Sequence, residues 1–130
     1  MTGPVRRAAR VLGALGLLGG VVGMIAASGE GLTAPVGVRL GAFFHLNLLG
    51  AIVSAVLGTV ALAGAALGDR RVVLTASVLW LAAAVLTVVQ SGREPNWLGG
   101  TAATLAFFLG VGGGLLALSI APEGAGAELR

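Results

Sequence analysis

Four stretches of this chain, 11–27, 40–67, 72–90 and 98–120, contain no Asp, Glu, Lys or Arg. Each is close to the roughly 20 apolar residues that a helix needs to cross a hydrocarbon core about 30 Å thick. Such blocks have no polar face to offer water. The expected fold is therefore all-α: a polytopic membrane protein whose residues 1–130 form one four-helix transmembrane bundle. Composition agrees, with 57% of residues hydrophobic and 10% charged, against about 25% charged in soluble domains. The block 40–67 has 28 residues and outruns the bilayer at about 1.5 Å per residue, so it is expected to tilt or protrude.

Several chemistries are closed to the chain. It has no cysteine, one histidine and no tyrosine, which removes disulfides, thiolate metal sites and iron–sulfur clusters. All eight basic residues are arginine and they are spread over several loops. That scatter makes no basic patch, so nucleic acid is not an expected partner. GVGGG at 110–114 lies inside a span without a preceding strand or a following Lys-Ser or Lys-Thr, so it reads as packing and not as a phosphate loop. No cofactor, metal ligand set or catalytic residue is expected, and the chain reads as a non-enzyme.

Arginine placement gives an orientation. Arg6, Arg7, Arg10, Arg70, Arg71 and Arg130 fall on one side of the four-span topology, Arg39 and Arg93 on the other. The positive-inside rule then puts both termini in the cytoplasm, in an inner (plasma) membrane. Trp97, where the last loop meets the fourth span, suits an outer interfacial anchor. A rival reading makes the first block a signal peptide cleaved near AAS at 26–28. Its apolar stretch of 17 residues is long for that role, and helix one is the expected structure.

Small residues are grouped on the helix faces. At 100° per residue, Gly13, Gly16, Gly20, Gly23 and Ala27 share one face of the first helix. Asn47, Gly50, Ser54, Gly58, Ala61 and Ala65 do so on the second, and Gly99, Ala103, Ala106, Gly110, Gly113 and Ala117 on the fourth. Such faces let backbones approach closely in lipid, so they are expected to pack inside a tight bundle, although the same stripes could equally serve contacts between protomers. The third helix has no glycine. Its corresponding face carries Ala76, Trp80, Ala83, Thr87 and Gln90. Trp80, at mid-span, is expected to fill the groove left by the glycines, with its indole N–H seeking an acceptor and Ser54 at its depth.

The polar side chains worth weighing are His45, Asn47, Gln90, Asn96, Thr101 and Thr104, all in the outer third of the bundle, with Glu30, Arg39, Arg93 and Glu94 in the outer loops. Together they define a candidate outward-facing polar cluster. Asn47 falls on the small face of the second helix and is expected to bond across to a neighbour. His45 lies about 200° round the helix from it, so the two cannot build one site. A lone histidine needs a second copy or a non-protein ligand to hold metal or haem. An interfacial histidine is the simpler expectation.

FFHLNLLG followed by AIVSAVLGTVALAG, and PNWLGG leading into a glycine-rich fourth helix, resemble an uncharacterised family of small four-helix membrane proteins common in actinobacteria. The likeness implies the same architecture. In that family histidines follow the asparagine of helix two and the Asn-Trp-Leu of helix four, where this chain has Gly50, Ser54 and Gly99. A histidine-based function is therefore not implied here.

The functional expectation is a structural or accessory component of a membrane assembly, with the lipid bilayer, another membrane protein or a second copy as partner. The alternative is a small transporter or channel for an apolar or weakly polar solute. The absence of Asp, Glu, Lys and Arg from the spans weighs against ion-coupled transport.

Overall fold

The structure is a computed structural model and describes residues 1–29, 38–40, 44–91, 93 and 100–123, with 38–40 and 44–46 described as backbone. It contains helix α1 (Gly3–Ala26), strands β1 (Val38–Leu40) and β2 (Phe44–Leu46), and helices α2 (Leu48–Leu67), α3 (Arg70–Gln90) and α4 (Ala102–Ile120). All four helices are long and apolar enough to span a membrane. They pack up-and-down, each against the next in the chain, and α1 closes the ring against α4.

The ends of the helices differ from the sequence expectation. The second helix begins at Leu48, not at residue 40. The residues before it pair as a short antiparallel ladder, Val38 opposite Leu46, Arg39 opposite His45 and Leu40 opposite Phe44. Asn47 decides the boundary. Its side chain accepts from the Gly50 amide at 2.8 Å, the N-cap bond that starts a helix. The shortened α2 is 20 residues long, about 30 Å, and so matches the bilayer without the expected overhang. The first helix starts early, at Gly3, with Pro4 in its first turn. The third starts at Arg70, with Asp69 as its N-cap. The fourth starts at Ala102 and not at 98, behind a Thr101–Thr104 capping box.

The α2–α3 turn is the one place where glycine's backbone freedom decides the path. Gly68 sits at φ 73°, ψ 17°, the left-handed conformation that closes a helix C-terminus. The next amide, on Asp69, donates back to Gly64 O at 2.8 Å. The Asp69 side chain then accepts from the Arg71 and Val72 amides at 2.9 and 3.3 Å. Four residues, Leu67 to Arg70, thus end one helix and begin the next.

Two different kinds of packing hold the bundle. Between α1 and α2 it is backbone on backbone. A Cβ added at Gly20 would lie 2.2 Å from Ala55 N, and one at Gly58 2.2 Å from Leu17 N. Only glycine permits this approach. The faces expected for α1 and α2 are buried as read from the sequence. Towards α3 and α4 the interior is instead filled by large side chains: Trp80, Phe108 and Leu115 are fully buried. The Trp80 ring stands edge-on to Phe107 and Phe108, with centroids 5.9 and 5.1 Å apart.

The fourth helix corrects the sequence reading. Its buried residues are Thr104, Phe108, Val111, Gly112, Leu115 and Ser119. Ala106, Gly110 and Ala117 face outward, and a Cβ at Gly110 or Gly113 would meet nothing within 4 Å. The physical reason is volume. Glycine faces on α1 and α2 close that half of the core, and the other half needs bulk, which α4 supplies from its Phe108 side.

Candidate functional site

The centre of the bundle is mostly apolar, with Ser54, Ser77 and the Trp80 indole as its buried polar groups among the described residues. Trp80 arises from α3 and reaches across to α1, so that a Cβ at Gly16 would lie 2.7 Å from its Cζ2. This is the groove anticipated from the glycine spacing. The acceptor is not. Among the described residues Trp80 Nε1 has no hydrogen-bond partner. The Ser54 hydroxyl, at the right depth, donates instead to Gly16 O at 2.8 Å. That bond ties α2 to α1 beside their closest approach.

The expected polar cluster lies partly within the described residues. Of its members Asn47, Gln90 and Thr104 are buried and Thr101 is half-buried; Thr87, from the α3 face, is buried with them at the end where α2 begins, α3 finishes and α4 begins. Asn47 is the N-cap of α2, its side chain accepting from the Gly50 amide, and this is not its only interaction. Gln90 is not left without a partner. Thr104 Oγ1 accepts from the Thr101 amide at 3.2 Å. A Cβ at Gly100 would press on Thr87 Cγ2 at 2.7 Å and approach Thr104 Cγ2 at 3.4 Å, so these residues are in one neighbourhood. A groove of about 220 Å³ runs beside them, lined by Thr87, Val88, Ser91, Thr101, Ala102 and Leu105. His45 lies in β2, away from the α2 helix it was assigned to. Asn96, Trp97 and Gly99, with the loop charges Glu30 and Glu94, lie outside the described residues.

The hydroxyls inside the helices are largely spent on their own backbones. Thr87 donates to Ala83 O at 2.8 Å, Ser77 to Leu74 O at 2.7 Å and Ser119 to Leu116 O at 2.8 Å. Among the described residues, no three histidine or acidic side chains come together to hold a metal.

The opposite end carries arginine chemistry that the sequence reading treated only as topology. Arg6 of α1 donates from Nε to Ala65 O at 2.9 Å and from a terminal nitrogen to Ala66 O. Arg10 reaches Ala66 O at 3.5 Å. Arg70, at the start of α3, donates to Ala121 O, just beyond α4. Each cation satisfies carbonyls that a helix end leaves free and faces the negative pole of the helix dipole. The signal was present in the spacing: each arginine lies at the start of a helix whose antiparallel neighbour ends at the same level.

No family model, curated protein or solved structure matches the chain in sequence or fold comparison.

Proposed function

We propose that this protein is a small accessory component of a larger assembly in the plasma membrane. It has both termini cytoplasmic, and it performs no catalytic step itself. One observation carries the reading. The small-residue face of α4, Ala106, Gly110, Gly113 and Ala117, is turned away from the bundle, and Cβ atoms at the two glycines would meet nothing. In lipid, a face of this kind gains most from a second helix laid along it. Glycine in a helix costs about 1 kcal/mol relative to alanine, and here no contact among the described residues compensates that cost. The cytoplasmic assignment follows the arginine asymmetry.

The test is photo-crosslinking in native membranes. A crosslinker replacing Ala106 or Leu109 on α4 is expected to trap one stoichiometric membrane protein. One replacing Val56 on the outward face of α2 is expected to trap lipid. Equal yields from both positions, or no adduct from either, would overturn the proposal. A self-adduct would identify the partner as a second copy.

The buried polar residues at the α4 N-terminal end favour a second reading, a small transporter for a weakly polar solute. Solute flux in liposomes that is abolished by Thr87→Val with the fold intact would support it. Absence of flux from a folded, oriented sample would remove it.

A further inference from the structure

The arginines at the Arg6–Ala65 end of the bundle divide into two kinds. Arg6, Arg10 and Arg70 place their guanidinium groups on helix-end carbonyls. The side chains of Arg7 and Arg71 make no hydrogen bond or ion pair among the described residues. These two differ in setting. Arg71 is exposed beside the α2–α3 turn. Arg7 borders a groove of about 620 Å³ whose other described lining is Gly3, Pro4, Ala8, Val11 and Leu12.

We propose that this groove holds one anionic phospholipid, with its phosphate on the Arg7 guanidinium and the start of an acyl chain along Val11 and Leu12. Along its described lining the groove passes from the polar Arg7 to the aliphatic Val11 and Leu12, the order a lipid requires. Arg7 and Val11 are one helical turn apart, about 6 Å of rise, which matches the step from the phosphate layer to the first methylenes. Val11 is 55% exposed and thus free to contact a chain. The guanidinium sets a full positive charge and N–H donors against the phosphate oxygens. The first turn of α1 has no side-chain cap, and Gly3 brings its unsatisfied amide end to the same groove, which favours an anion further. Arg6, Arg10 and Arg70 add positive charge at the same end while being held elsewhere. The inference does not depend on the accessory role.

The test is native mass spectrometry of the full chain in neutral detergent, titrated with phosphatidylglycerol or with phosphatidylcholine of the same acyl chains. The first phosphatidylglycerol is expected to bind at least about fivefold more tightly than phosphatidylcholine, from the surface attraction of one arginine. Arg7→Gln is expected to remove that preference, Arg7→Lys to keep most of it, and Arg71→Gln to leave it within about twofold. All three variants should keep the helical circular dichroism of the parent, because among the described residues neither side chain makes a hydrogen bond or ion pair. Equal binding of the two lipids would overturn the proposal. So would an equal loss in Arg7→Gln and Arg71→Gln, which would mean diffuse charge and no site. Displacement of the lipid by millimolar inorganic phosphate would show a free-anion site and also refute it. Should Arg7→Gln not fold, loss of the preference in Arg7→Lys refutes a site that needs only the positive charge.

Discussion

Gly58→Ala tests whether the α1–α2 contact is the tight joint of the bundle. The added Cβ would lie 2.2 Å from Leu17 N, 2.7 Å from Gly16 C and 2.8 Å from Leu17 Cα. All three are backbone atoms, so no side chain can swing aside. Ordinary contact begins near 3.4 Å, and the helices must part by about 1 Å to reach it. Overpacking of this kind costs about 1–3 kcal/mol. Parting the helices also stretches the Ser54–Gly16 bond, worth about 0.6 kcal/mol in a membrane protein. Alanine returns up to about 1 kcal/mol of helix propensity. The net expectation is a loss of about 0.6–2.6 kcal/mol. The control is Gly110→Ala on α4, where the new methyl meets nothing. It should be neutral or stabilising by up to about 1 kcal/mol. Reversible unfolding in mixed micelles, followed by far-ultraviolet circular dichroism, reads both variants. Equal midpoints for Gly58→Ala and Gly110→Ala would refute the argument, because propensity alone would then govern both positions.

Trp80→Ala should cost about 3–5 kcal/mol by opening a hole among Phe107, Phe108 and Gly16, measured by the same unfolding assay. In a Trp97→Phe background, Trp80 fluorescence should resist quenching by acrylamide until the bundle unfolds, in keeping with its full burial. Asn47→Ala should lose about 1 kcal/mol through the helix cap while Asn47→Asp keeps most of it, compared by denaturant midpoint. Arg6→Gln should lose up to about 1 kcal/mol, since a side-chain cation at a helix C-terminus contributes that much, whereas Arg71→Gln should leave the midpoint unchanged.

The spans were legible because a run without charge of bilayer length has few alternatives. The inner faces of α1, α2 and α3 were legible too, since small residues at helical spacing and a mid-span tryptophan are complementary volumes. The fourth helix misled. Its small face has the same spacing as the others, but spacing alone does not say whether the partner belongs to the same chain. Phe108 and Leu115 held the answer, because the room around Trp80 needs large neighbours. Asn47 was legible as a polar residue near a helix start, yet was read as part of a longer helix. The ladder pairing of 38–40 with 44–46 depends on two short segments meeting, which hydropathy does not register. The arginine caps left a signal only in the topology, arginines at helix starts level with the ends of antiparallel neighbours, because the accepting carbonyls leave no trace in composition.

The arginine caps also make the two ends of the bundle unequal in motion. Arg6 clasps the end of α2 and Arg70 clasps the end of α4, so each antiparallel pair is fastened where the chain enters it. Fraying of the last turns of α2 and α4 is then opposed at that end. The bundle should therefore resist fraying where its helix ends are clasped, and along α1 and α2 the hold continues through the Gly58 and Gly20 contacts.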